Sequence, residues 1–235
     1  MAALGFVSSD KSQSIGAESA QANPATNFFV SSTGSKTANL GGLSGADKTC
    51  QGSAVGLGNK TWRAYLSVER DPGNGNKPTD ARSRIGAGPW VNAKGAVVAK
   101  NLDELHARKG DVDVFLDEHG QRVPGNWPDS PKPVVHDILT GSTADGKLMT
   151  GKTCSDWTSD AKDQQAQVGH SDGLGPGGDP AGRYSVGTRH MTMGAAPIPD
   201  RAEAADGSTA SRRNRRAASH LFAASREKGS TAYHT

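Results

Sequence analysis

A mixed α+β domain, made of many short strands, one or two short helices and long loops, is what this sequence predicts. Three observations carry the prediction. Only 34% of the residues are hydrophobic, and 30 glycines with 12 prolines among 235 residues interrupt the chain too often for a helical bundle. The apolar residues recur mostly in short alternating runs, the mark of half-buried strands. Helical patterning is confined to a few short stretches, the first of them near the start of the ordered part, which places helices beside rather than between the strands.

The elements follow in order. Ala2–Val7 is apolar and Ala20-Gln21-Ala22 has the A-x-A form that signal peptidase reads. The apolar core falls short of the usual length and the polar run Ser8–Ser14 interrupts it, so residues 1–26 are expected to be a disordered leader or remnant signal peptide of an exported protein. Phe28-Phe29-Val30 opens the ordered part as a strand. Ser44 is placed to cap a helix through Ala46, Cys50 and Ala54, with Asp47 in its first turn, where a carboxylate favours the helix dipole. Lys60–Val68 alternates Trp62, Ala64 and Leu66 with Arg63, Tyr65 and Ser67 as a half-buried strand. Asp71–Thr79 is a loop by its turn residues. Trp90, the run Ala96–Val98, a helical turn at Leu102–His106 and a strand through Val112, Val114 and Leu116 come next, and Glu118–Gln121 turns the chain back. Pro124–Pro133 is extended. Ile138-Leu139 and Leu148-Met149 are two strand-like pieces about a polar turn, followed by Cys154 and Trp157. Gln167–Gly169 and Arg183–Val186 are further strands, separated by the glycine-dense His170–Pro180.

In this order the motifs FFVSSTG, LGGLSGAD with Cys50, TWRAYLS, RIGAGPWVNAKG, HDILTGS, CSDWTSD and VGHSDGLG resemble a bacterial family of secreted lectin-like proteins. The fold implied is that of C-type lectin-like and endostatin-like domains, over residues 27–186. The resemblance also implies two disulfides, with Cys50 and Cys154 as the first halves of different bridges; by themselves, two cysteines allow one disulfide or none.

Such domains end on a Trp-Asn-Ser-x-His stretch, a further cysteine and a Tyr-Cys-Phe strand, and none of these follows Val186. The neighbouring reading frame can supply them. Joining each codon's third base to the next codon's first two, Met191-Thr192 must give Asp and Met193-Gly194 must give Gly. The other codons permit W-N-S-A-H-D-N-G-S-C across Val186–Ala196 and R-R-L-Y-C-F-A across Ala205–Arg212. A frameshift after Val186 is therefore expected, leaving residues 187–235 as a disordered basic tail and the domain incomplete at its C-terminal strand. The loss would expose a sheet edge and leave two free thiols. Two missing disulfides, typically about 2–4 kcal/mol each, are a large share of an ordinary domain's stability of about 5–15 kcal/mol.

The candidate ligand-binding residues are Trp127, His136, Asp137, His170 and Asp172. A carboxylate beside an imidazole can hold sugar hydroxyls or a divalent ion, although Asp137 capping a turn and His136 packing at a strand end is the more common use of such a pair. His170 and Asp172 fall where C-type lectin-like domains place ligands. Trp127, among prolines, is the tryptophan expected to be exposed, while Trp62, Trp90 and Trp157 are expected in the core. Calcium needs about 6–8 oxygens, and Asp145, Asp156, Asp160, Asp172 and Asp179 match no calcium-loop spacing. Among seven histidines no H-x-x-x-H pair, and no C-x-x-C pair, supports zinc. No G-x-S-x-G, H-E-x-x-H, phosphate loop or dinucleotide fingerprint supports catalysis. Asp117-Glu118 is expected to be a solvated pair in a hairpin turn. Arg212, Arg213, Arg215 and Arg216 could attract nucleic acid, but they fall in the stretch read as out of frame. No run approaches the roughly 20 apolar residues that span a bilayer.

The function expected is that of a non-enzymatic, secreted or periplasmic lectin-like binding module for carbohydrate or another extracellular ligand, with no cofactor assigned. An enzyme on a lectin-like scaffold, or an interaction protein using its basic tail, is the alternative.

Overall fold

The computed structural model describes residues 23–174 and 220–226. The described residues form an α+β architecture of nine short strands and a few short helices. Its strands are β1 (Phe28–Val30), β2 (Thr61–Ala64), β3 (Val68–Asp71), β4 (Lys77–Thr79), β5 (Trp90–Val91), β6 (Val97–Ala99), β7 (Asp137–Leu139), β8 (Val168–His170) and β9 (His220–Arg226). The helices are α1 (Gly42–Ser53), α2 (Ala81–Arg84) and α3 (Leu102–Ala107).

β9 is the strand on which the main sheet is built. Along one edge β1 pairs with it antiparallel, Phe28 opposite Ala224 and Val30 opposite Phe222. Its other edge takes β2 antiparallel beside the C-terminal part and β7 parallel beside the N-terminal part, where Ile138 faces His220. β8 then extends the sheet from β7, with Asp137 opposite His170. Two hairpins, β3–β4 and β5–β6, flank it.

Both faces of this sheet are covered, which explains why β1, β7 and β9 carry consecutive apolar residues rather than clean alternation. Phe29, Leu139, Leu221 and Ala223 point into one cluster with Trp62, Cys50 of α1 and Trp157. Phe28, Ile138, Phe222 and Ala224 point into the other with Trp90, Phe115 and Leu105. In the second cluster Phe222 stacks obliquely on Phe28 and Phe115, with ring centroids 5.6 and 5.5 Å away. These separations lie in the range where aromatic pairs add to simple burial.

Several expectations are corrected. The sheet is not left open after Val186, because His220–Arg226 enters its centre and Leu221–Ala224 are buried there. An unstructured tail from 187 to 235 therefore does not hold for these residues, while the strand expected at Arg183–Val186 lies outside the described residues. Ser44 is not the cap of α1, which starts two residues earlier with Gly41 at φ 73° as its N-cap. Asp47 instead accepts from the Ala64 amide and pairs with Arg84 at 2.8 Å and Arg63 at 2.7 Å, tying α1 to β2 and α2. Tyr65 and Ser67 are buried because the chain leaves β2 after Ala64 and turns inward. Asp71–Thr79 is mostly hairpin, with Asp71 accepting from the Gly73 amide at 2.8 Å and the Thr79 hydroxyl at 2.9 Å. Val112–Leu116 forms no strand; Phe115 is its anchor in the core. Asp117 and Glu118 are buried rather than solvated, the Glu118 carboxylate receiving both the amide and the hydroxyl of Ser32. The two free thiols agree with expectation: Cys50 and Cys154 are unpaired and buried, and the described residues contain no disulfide.

Candidate functional site

Strand β7 begins at Asp137, and its pairing with β8 sets His170 directly across from it. His136 precedes the strand, and Asp172 lies in the turn after β8. Four residues from two distant segments thus meet at one end of the sheet. The His136 and His170 rings lie 4.8 Å apart, centroid to centroid. His136 Nδ1 donates to Asp172 Oδ2 at 2.7 Å, while its Nε2 stands 3.8 Å from Asp137 Oδ1. His170 Nδ1 stands 3.0 Å from the same Asp137 oxygen.

Asp172 is an anchor as much as a partner. Its side chain is fully buried, and it also accepts from the Asn126 amide at 2.7 Å and the Leu174 amide at 2.9 Å. Burial pushes its carboxyl up, but the hydrogen bond and charge of His136, with the two backbone amides, outweigh burial and hold it below the usual range. An ionised carboxylate can only accept, so the proton of this bond sits on His136 Nδ1 and leaves Nε2 facing Asp137. Gly125 has to be a glycine here, since a Cβ would fall 2.4 Å from Asp172 Oδ2.

Of the five residues singled out from sequence, the structure brings His136, Asp137, His170 and Asp172 into one cluster. Trp127 sits beside it on the loop whose Asn126 caps Asp172, but its indole is otherwise engaged. The ring nitrogen donates to the Val123 carbonyl at 3.1 Å and Arg122 lies over the ring at 5.4 Å. His136, His170 and Asp172 are buried, so a bulky ligand cannot touch them directly.

A second feature was not legible in the sequence. A cleft of about 830 Å³ opens between the start of α1, the β3–β4 hairpin and the segment after Thr153. Three arginines, Arg63, Arg70 and Arg84, and three aspartates, Asp47, Asp71 and Asp156, line it with no net sign. Asp156 reaches it from a strained turn. Cys154, Ser155, Asp156 and Trp157 form a helical turn with φ between 47° and 65°, a left-handed run that costs about 1–2 kcal/mol per residue. It is held by Trp157, whose ring nitrogen donates to the Ser67 carbonyl at 2.9 Å, and by Asp156, which accepts the Glu69 amide at 2.6 Å. Such strain persists only where the surroundings enforce it, and it concentrates at working sites.

No protein-family profile matches the chain, and no curated protein is significantly similar to it. Among the described residues no helix is long and apolar enough to cross a membrane. Of the aspartates considered for calcium, Asp179 lies outside the described residues, as do Arg212, Arg213, Arg215 and Arg216. Asp145, Asp156, Asp160 and Asp172 form no common ion-holding group among the described residues.

Proposed function

We propose that this chain is a non-enzymatic, lectin-like binding module that takes an uncharged, hydroxyl-rich ligand, a saccharide, in the cleft beside the Cys154–Trp157 turn. The balanced lining carries the reading: three guanidinium groups and three carboxylates leave no excess of either sign to select an ion, and the more exposed Arg63 and Arg70 offer donors to hydroxyls. Arg70 is the most available of them, with a side chain 79% exposed and only a long 3.9 Å approach to Asp156. The resemblance of the motif series to secreted lectin-like proteins supports the same ligand class and a secreted or periplasmic location. It also keeps the frameshift after Val186 as part of the reading, which sequencing the transcript across Gly182–Arg212 tests.

Glycan-array binding by the full chain is the experiment for function. A bound saccharide whose affinity falls at least about tenfold in Arg70→Ala, with an unchanged melting temperature, is the expected result; about 1.4 kcal/mol is one lost hydrogen bond of ordinary strength to a charged group. Absence of any glycan binding, or binding indifferent to Arg70→Ala and Arg63→Ala, overturns the reading.

A further inference from the structure

His136, Asp137 and His170 form a compact group whose candidate ligand atoms all lie within 4.8 Å of one another. Two atoms each about 2.1 Å from a tetrahedral ion stand about 3.4 Å apart. The observed separations from Asp137 Oδ1, 3.0 Å to His170 Nδ1 and 3.8 Å to His136 Nε2, bracket that value. Asp137 Oδ1 is buried and accepts no hydrogen bond, with the His170 and His136 ring nitrogens its close polar neighbours at 3.0 and 3.8 Å. A buried carboxylate oxygen is left in this state only at a cost unless a cation completes it.

Asp172 supplies the second observation. Histidines that bind metals hand their other ring N–H to a carboxylate, which fixes the tautomer and raises the basicity of the ligating nitrogen. His136 does this, giving Nδ1–H to Asp172 and turning Nε2 towards Asp137.

We propose that His136 Nε2, a ring nitrogen of His170 and the Asp137 carboxylate hold one divalent transition-metal ion of the zinc class, with Asp172 as the outer carboxylate that orients His136. The donor set selects the ion: two imidazoles and one carboxylate suit zinc and its neighbours, whereas calcium takes about 6–8 oxygens. Charge agrees, since one divalent cation offsets the two carboxylates gathered in this buried place. Three protein ligands leave a fourth position for water. The ion would clip β7 to β8 through the facing pair Asp137 and His170, in a domain whose described residues carry no disulfide. This proposal does not depend on the saccharide reading, and either can fail alone.

The full chain, stripped with a chelator and titrated with Zn²⁺, tests it. Expected are one ion per chain and a Zn²⁺ affinity lowered at least about 100-fold by His136→Ala or His170→Ala and about 10–100-fold by Asp172→Asn. His119→Ala, on the exposed surface, should leave affinity unchanged. X-ray absorption of the zinc-loaded wild type guards against variants that fail to fold, and it should report two imidazoles and one carboxylate oxygen. Failure of the wild type to take up a stoichiometric ion, binding unchanged in His170→Ala, or a spectrum with fewer than two imidazoles overturns the proposal.

Discussion

Strand β7 joins two regions built on opposite rules. At its C-terminal end Leu139 sits in an apolar cluster with Trp62, Trp157 and both thiols. At its N-terminal end Asp137 and the preceding His136 meet His170 and Asp172 in a cluster where nearly every contact is polar. The apolar end is over-determined: large rings fill it, and loss of one leaves a hole that neighbours cannot close. The polar end is held by a few directed bonds centred on Asp172, so its cost when broken is set by stranded donors and acceptors. Packing secures the first region and pairing the second.

Removing a ring from the apolar end should have the largest effect. Trp157→Ala creates a cavity, frees the Ser67 carbonyl and releases the left-handed turn; about 3–5 kcal/mol of unfolding free energy should be lost in denaturant titrations. Phe222→Ala, which empties the other face of β9, belongs in the same range. At the polar end Asp172→Ala strands His136 Nδ1 and the Asn126 and Leu174 amides, and without added metal it should cost about 1–3 kcal/mol. If Asp172→Ala proves as costly as Trp157→Ala, the contrast between the regions fails.

Acid should act on polar groups before it touches the packed end. Burial lowers His106, whose Nε2 bonds the Tyr65 hydroxyl, and His220, whose Nδ1 bonds the Ser31 carbonyl. A histidine lowered on folding stays neutral while the unfolded chain protonates. Stability is therefore full above the unfolded value of about 6.5 and falls as pH drops below it. Asp172, also lowered, adds a loss as pH falls below about 4. Asp117, which burial pushes up, works in the opposite sense and offsets part of that second loss. Chemical denaturation should show stability level from pH 7.5 to about 6.5 and declining from there to about 4, and a flat profile from about 6.5 to 5 contradicts these placements.

The smallest effect is a silence. Burial pushes Cys154 up to about 11 and Cys50 further still, so neither offers a thiolate. Both should ignore a thiol reagent in the native state and react once unfolded. Fast native reaction of either one places it outside the core.

How much of this could be read in the chain varies by element. Phe28-Phe29-Val30, the α3 turn and the Ile138-Leu139 strand were legible because local apolar runs coincide with burial. Trp62, Trp90 and Trp157 were legible as core for the same reason. His136, Asp137, His170 and Asp172 could be picked out singly, but no spacing shows that they meet; strand pairing between β7 and β8 does that. For the same reason zinc ligands contributed by two strands leave no H-x-x-x-H signal. The cleft is not legible because it is assembled from separate segments, and the left-handed turn Cys154–Trp157 that brings Asp156 to it is made of residues that do not announce such a backbone. His220–Arg226 was missed because its apolar stretch sits next to an arginine- and alanine-rich segment, and a strand buried on both faces lacks alternation.

The central claim is that β9, coming after the long segment that follows Leu174, closes the sheet on which both regions stand. Amide hydrogen exchange at Leu221–Ala224 tests it most directly. These amides should exchange as slowly as those of Phe29 and Ile138, through global unfolding alone. Exchange at the rate of an unstructured peptide would show the sheet open and the account wrong.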